Sequence, residues 1–210
     1  MKYQNVKTAV YDCVMKAQDA GLVRLSAGNI STRTDDGNVA ITPSGIKYTE
    51  LEIDEISVVD LDGNLLSGPK PSSETPMHTA IYRALPRVQA ICHTHSPFAI
   101  TFAMAGRDVP LVNLEMFVLG APIPVAPWAC PGSAAAGEIT VQIFKERPEL
   151  KAILLYKHGL VAIGNSLDHA FEWAYDAEVG MRTYYQALQI GDPEPLTAEQ
   201  IQEVKDVYGV

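Results

Sequence analysis

Two short turns limit what this chain can fold into more than any other feature. Asp35-Asp36-Gly37-Asn38 leads into the apolar run Val39-Ala40-Ile41-Thr42, and Asp62-Gly63 divides residues 56–66 into two strand-like halves. Strands joined by turns of this length pair antiparallel, because a parallel neighbour needs a crossover of roughly a dozen residues or more. A doubly wound parallel sheet therefore fits poorly. Helical patterns stand before, between and after the strands. Val6, Val10, Cys13, Val14 and Ala17 share one face of a helix over residues 5–20, and Gly21 is placed to cap it. Ser73 is predicted to cap a helix running to about Leu85, with Glu74 in its first turn, where the helix dipole favours a carboxylate, and Pro86 at its end. Further helices are predicted from Ser96-Pro97 to about Ala105, from Ser133 to Lys145 and from Asn165-Ser166 to about Ile190. The expected architecture is an α/β sandwich of all 210 residues as one domain.

Sixteen Lys and Arg against 25 Asp and Glu give a formal charge of −9. A polyanion is repelled by such a surface, so nucleic acid and anionic membrane are not expected partners, and any bound anion needs a local site. No apolar run approaches the roughly 20 residues that span a bilayer, and Met1-Lys2-Tyr3-Gln4-Asn5-Val6-Lys7 lacks an apolar signal core. A cytoplasmic location is expected. Cys13, Cys92 and Cys130 lie far apart with no Cys-x-x-Cys pair and read as reduced, partly buried small hydrophobes.

The chemistry-bearing residues centre on Ala90-Ile91-Cys92-His93-Thr94-His95-Ser96-Pro97. On a strand, residues two apart project to the same face, so His93 and His95 stand side by side. Such a pair suits adjacent positions on one metal ion, and it suits two hydrogen-bonded core histidines as well. His158 interrupts the apolar run between Ala152-Ile153-Leu154-Leu155-Tyr156 and Leu160-Val161-Ala162-Ile163-Gly164, followed by Gly159, which permits close backbone approach. As a third imidazole it would leave a coordination position open, as catalytic zinc requires; other divalent ions also accept imidazole. Glu74 sits where a carboxylate can face a cleft, or can serve simply as an acid at a helix start. His78, four residues on, shares its face and reads as a hydrogen-bonded neighbour rather than a ligand. His169 reads as a surface residue. Ala27-Gly28-Asn29-Ile30-Ser31, Thr42-Pro43-Ser44-Gly45 and Pro71-Ser72-Ser73-Glu74 each offer the hydroxyls, amides and backbone N–H groups that a phosphate needs. Spacing alone does not show that the three converge.

At this point five motifs, in order and spacing, resemble the class II aldolase/adducin family: Ser26-Ala27-Gly28-Asn29-Ile30-Ser31, Ile41-Thr42-Pro43-Ser44-Gly45, Lys70-Pro71-Ser72-Ser73-Glu74, His93-Thr94-His95-Ser96 and His158-Gly159-Leu160. The resemblance covers nearly the full length. It implies a three-layer α/β/α sandwich with a predominantly antiparallel central sheet, assembled as a homotetramer with active sites at subunit interfaces. It implies zinc held by His93, His95 and His158, Glu74 as the catalytic carboxylate, and phosphate held at Gly28, Asn29, Ser44, Gly45, Ser72 and Ser73. The implied reaction is cleavage of a ketose 1-phosphate of the L-fuculose-1-phosphate type to dihydroxyacetone phosphate and an aldehyde. Carbon–carbon cleavage leaves an enediolate whose charge a divalent metal stabilises, while Glu74 moves the proton at the enediolate carbon.

Two departures bear on the substrate. The family's aldolases carry an inter-subunit tyrosine near residues 111–116, where this chain reads Leu111-Val112-Asn113-Leu114-Glu115-Met116, with Glu115 as the nearest substitute. Tyr208-Gly209 resembles the aldolases' C-terminal Tyr-Gly, so Tyr208 reads either as a second catalytic residue reaching a neighbour's site or as a frayed terminus. The family's L-ribulose-5-phosphate 4-epimerases come second, since they have Asp where this chain has Glu74. Methylthioribulose-phosphate and deoxyribulose-phosphate enzymes of the family are further alternatives. A non-enzymatic interaction module like the adducin head fits less well, because it lacks the metal set that is retained here.

Overall fold

Both short turns do join antiparallel strands. In the computed structural model, which describes residues 2–120 and 122–209, β1 (Asn29–Arg33) pairs with β2 (Val39–Ile41), and β3 (Ser57–Val59) pairs with β4 (Leu65–Ser67). The remaining strands are β5 (Ala90–Thr94), β6 (Val125–Ala126), β7 (Ala152–Leu155) and β8 (Gly159–Gly164). They form one eight-stranded sheet in the order β4-β3-β2-β1-β5-β8-β7-β6. Every pairing is antiparallel except β6 with β7. Six α-helices accompany it among the described residues: α1 (Gln4–Asp19), α2 (Thr75–Ala84), α3 (Pro97–Ala105), α4 (Ala134–Glu146), α5 (Leu167–Ala187) and α6 (Ala198–Tyr208).

The period-two alternation of the strands divides the core. Ala90 and Cys92 of β5 pack with Val10 and Val14 of α1, Phe102 of α3 and Ala174 and Met181 of α5. Ile91, between them, packs in a second cluster with Met77, Ile81 and Tyr82 of α2 and Phe144 of α4. Each fully buried aliphatic or aromatic side chain contributes about 1.5–3 kcal/mol, so both clusters hold their helices to the sheet. β5 lies between β1 and β8, with Asn29 opposite His93 on one side and Val161 opposite His93 on the other. The histidine-bearing strand is therefore in the middle of the sheet, where its register is pinned from both sides.

Three local features differ from or go beyond the sequence reading. Residues 29–33 form the first strand of the hairpin, yet the polar side chains of Asn29 and Ser31 on it are buried. Side chains from α2 satisfy those polar groups, and this makes burial tolerable. Glu74 is the N-cap position of α2, not its first turn, and its side chain makes no cap bond because it turns inward; Ser72 Oγ instead accepts the Glu74 N–H at 3.2 Å. Helix α6 was not anticipated, although Thr197 and Gln200 form a reciprocal capping box at its start.

Gly159 permits the closest approach in the sheet. A Cβ there would lie 2.3 Å from the Thr94 carbonyl oxygen, 3.3 Å from His93 Cε1 and 3.4 Å from His95 Cδ2. Gly159→Ala is expected to lower stability by about 1–3 kcal/mol, the usual range for overpacking, and to weaken binding of a divalent metal at the adjacent histidines. Chemical denaturation and metal titration of the variant check both.

Candidate active site

Four side chains from three separate places meet at the end of β5. His93 lies on the strand, His95 just after it, His158 in the turn between β7 and β8, and Glu74 at the start of α2. The turn that presents His158 is tight enough to put Lys157 in left-handed backbone at φ 58°. The imidazole centroids are 4.9 Å (His93–His95), 4.7 Å (His93–His158) and 4.9 Å (His95–His158) apart. Glu74 Oε2 is 2.8 Å from His93 Nε2, and Glu74 Oε1 is 3.4 Å from His158 Nε2. One ligand atom from each of the four residues lies within 4.8 Å of all the others.

This donor set fits a divalent cation. His93 Nδ1 lies 2.8 Å from the Leu160 carbonyl oxygen, which can only accept, so Nδ1 carries hydrogen and Nε2 faces the cluster. Burial, followed by the charges of His93 and His158, pushes His95 down to about 3; burial and then His93 push His158 down to about 4. Both are therefore neutral near pH 7, the protonation state in which imidazole ligates metal. Burial opposes the charge of Glu74, but His93, His158 and the Asn29 amide together hold its carboxyl below the usual range. Glu74 Oε1 is buried and makes no hydrogen bond among the described residues. An unpartnered carboxylate oxygen is costly unless a cation or substrate satisfies it.

The three polar segments converge on this cluster. Pro43 bridges Pro71, Ser44 N–H donates to the Lys70 carbonyl, and Ser72 N–H donates to the Thr42 carbonyl, so the second and third segments are paired. Gly28 of the first segment, at φ +85°, sits so close to β5 that a Cβ would lie 2.9 Å from the His93 carbonyl oxygen. The next residue, Asn29, donates from Nδ2 to Glu74 Oε2 at 2.9 Å. Ser72 is buried, Ser44 is half-buried, and Gly45 and Ser73 are exposed.

Other candidates lie elsewhere. Tyr208 is 69% exposed on α6 and supplies no atom to the four-residue group. Glu115 is exposed, and its charge acts on Asp176 of α5. His169 is exposed as expected and stacks on Trp173. The reading from sequence missed Tyr48, whose hydroxyl donates to the Gly28 carbonyl at 2.7 Å, and Tyr82, whose hydroxyl meets Ser31 Oγ at 2.8 Å. Both look in the sequence like ordinary apolar core positions.

His78 is fully buried, and burial pushes it down to about 3. Above the ordinary value of 6.5 neither the folded nor the unfolded chain protonates it, so it adds no pH dependence there. Between 6.5 and about 3 the unfolded chain binds a proton that the folded chain excludes. Stability is thus lost as the pH falls, at about 1.4 kcal/mol per pH unit from this group. The slope of unfolding free energy against pH in that window is expected to flatten by this amount in His78→Gln, measured by urea denaturation.

The match of this architecture to known proteins is extensive. The family described as Class II Aldolase and Adducin N-terminal domain matches residues 8–185. The 5-deoxy-D-ribulose 1-phosphate aldolase of Bacillus thuringiensis serovar kurstaki is 34% identical over 191 residues, covering 90% of this chain and 88% of that protein. The L-fuculose phosphate aldolase of Escherichia coli is 32% identical over 201 residues, covering 95% and 92%. A solved structure of an L-fuculose 1-phosphate aldolase superposes with a TM-score of 0.89 at 27% identity, covering 98% of this chain and 97% of that one.

Proposed function

Because the chain belongs to the class II aldolase and adducin family, we propose that it is a zinc-dependent aldolase that splits a ketose 1-phosphate into dihydroxyacetone phosphate and an aldehyde. The observation that carries this reading is the convergence of Glu74, with its unpartnered Oε1, and three imidazoles. His93, His95 and His158 would hold the cation, and three nitrogen donors favour zinc. When bound, the ion supplies Lewis-acid stabilisation of the negative charge that develops as the carbon–carbon bond breaks.

The residues of this chain do the rest. Gly28, Asn29, Ser44, Gly45, Ser72 and Ser73 bind the phosphate through hydroxyls and N–H groups, which suits a surface of net negative charge. Holding the phosphate fixes the reacting carbons relative to Glu74. On cleavage the hydroxyl of the carbon that becomes the aldehyde gives up its proton, and the electron pair of the broken carbon–carbon bond stays with the carbon that becomes part of dihydroxyacetone phosphate. The Glu74 carboxyl delivers a proton to that carbon, so the proton gained there balances the one lost from the hydroxyl. In condensation the Glu74 carboxylate removes that proton.

The active assembly is a cytoplasmic homotetramer of single-domain chains, each a three-layer α/β/α sandwich; the division of the core between α1, α3 and α5 on one side and α2 and α4 on the other supports the layering. Tyr208 is the second catalytic residue and completes a neighbouring copy's site, a role supported by its exposure on α6. Retention of the full donor set favours an enzyme over a non-catalytic interaction module. A panel of ketose 1- and 5-phosphates tests the assignment. Cleavage of a 1-phosphate is expected, and epimerisation of a 5-phosphate without cleavage would replace this reading with the epimerase one.

A further inference from the structure

A hydrogen-bonded chain runs from Glu74 into the protein interior. Glu74 Oε2 meets Asn29 Nδ2 at 2.9 Å, Asn29 Oδ1 meets His78 Nε2 at 2.5 Å, His78 Nδ1 meets Ser31 Oγ at 2.6 Å, and Ser31 Oγ meets the Tyr82 hydroxyl at 2.8 Å. Every member is buried. In that setting hydrogen-bond accounting fixes the direction of each proton.

Suppose the chain pointed inward. Asn29 Oδ1 would then face the Glu74 carboxylate, oxygen against oxygen, and the buried Tyr82 hydroxyl would be left with no acceptor along the chain. Pointing outward, every donor is used: Tyr82 O–H to Ser31 Oγ, Ser31 O–H to His78 Nδ1, His78 Nε2–H to Asn29 Oδ1, and Asn29 Nδ2–H to Glu74 Oε2. A neutral His78 is the only form that both accepts at Nδ1 and donates at Nε2.

We propose that His78 and Tyr82 are positioning residues that act through Asn29 to reserve Glu74 Oε2 as a hydrogen-bond acceptor, so that Oε1 carries the proton in the reaction. This inference rests on Glu74 being the proton carrier. Without the chain Asn29 is free to flip, and a flipped amide accepts a proton held on Oε2, which lies between Asn29 and His93 Nε2, in place of one on Oε1. Oε1 is the oxygen that makes no hydrogen bond, so it is free to exchange a proton with substrate.

Two measurements on the full-length protein test this. In 15N-histidine NMR near pH 7, the resonance lost in His78→Gln is expected to show the Nε2–H tautomer; the Nδ1–H tautomer would overturn the inference. In proton exchange into dihydroxyacetone phosphate, His78→Leu is expected to lose ~10–100-fold in kcat with KM within ~3-fold and metal content unchanged, the usual scale for an outer-shell partner. His78→Gln keeps an N–H donor and is expected to recover most of the loss. Should His78→Leu fail to fold, Tyr82→Phe, which removes only one oxygen, is expected to slow exchange several-fold and to mix the two tautomers. Glu74→Gln measured alongside separates the two readings. Undiminished exchange there removes the proton carrier and this inference with it. Diminished exchange there, combined with undiminished exchange in His78→Leu or Tyr82→Phe, removes the inference alone.

Discussion

Glu74→Gln is expected to slow proton exchange into dihydroxyacetone phosphate by ~10²–10⁴-fold, the range general acid–base catalysis supplies. Gln preserves the shape and supplies an amide oxygen that can accept from Asn29 Nδ2, as Glu74 Oε2 does at 2.9 Å. It cannot take up or release a proton near neutral pH. Because the three histidines are untouched, the variant should retain its metal and its assembly, so a loss of exchange would report chemistry and not folding. Isotope incorporation followed by mass spectrometry measures it. Exchange at the wild-type rate would remove Glu74 from the proposed mechanism.

His93→Ala is the second change with a large expected effect. His93 is fully buried, lies 2.8 Å from Glu74 Oε2 and is held by the Leu160 carbonyl. Its loss removes one of three nitrogen donors and leaves the buried Glu74 charge without its nearest partner. Metal affinity should fall by at least ~100-fold, since changes merely behind a ligand already cost up to that much. Stability should fall as well, by about 3–5 kcal/mol, the cost of leaving a buried charge without its partner. His95→Ala gives a milder control, because His95 is only partly buried and makes no contact with Glu74 as close as that of His93. Metal content after dialysis, read by elemental analysis, is expected to drop in both. Wild-type metal content in His95→Ala would show that the histidine cluster does not hold the ion.

The sequence makes the sheet's antiparallel half legible because Asp35-Asp36-Gly37-Asn38 and Asp62-Gly63 state their turns locally. The metal-type cluster is half legible for the same reason. His93 and His95 share a strand face, but only the fold shows that the β7–β8 turn puts the His158 ring centroid 4.7 Å from that of His93. The burial of Asn29 and Ser31 is not legible, because their partners, Glu74, His78 and Tyr82, lie more than 40 positions away. A polar residue in a strand is a sign of a loop only when nothing satisfies it. Helix-dipole logic is local and puts Glu74 in the first turn of α2, whereas its inward position at the N-cap is set by imidazoles brought in from the end of β5 and the β7–β8 turn. Helix α6 is legible in its Thr197 and Gln200 capping pair, a local signal of a helix start.

The most direct test of the central assignment is product analysis of the purified protein with a ketose 1-phosphate, before and after chelation. The account predicts release of dihydroxyacetone phosphate that stops when metal is stripped and returns when zinc is restored. Undiminished cleavage by the metal-free protein, or no cleavage by the zinc-loaded protein of any ketose 1-phosphate tried, would contradict it.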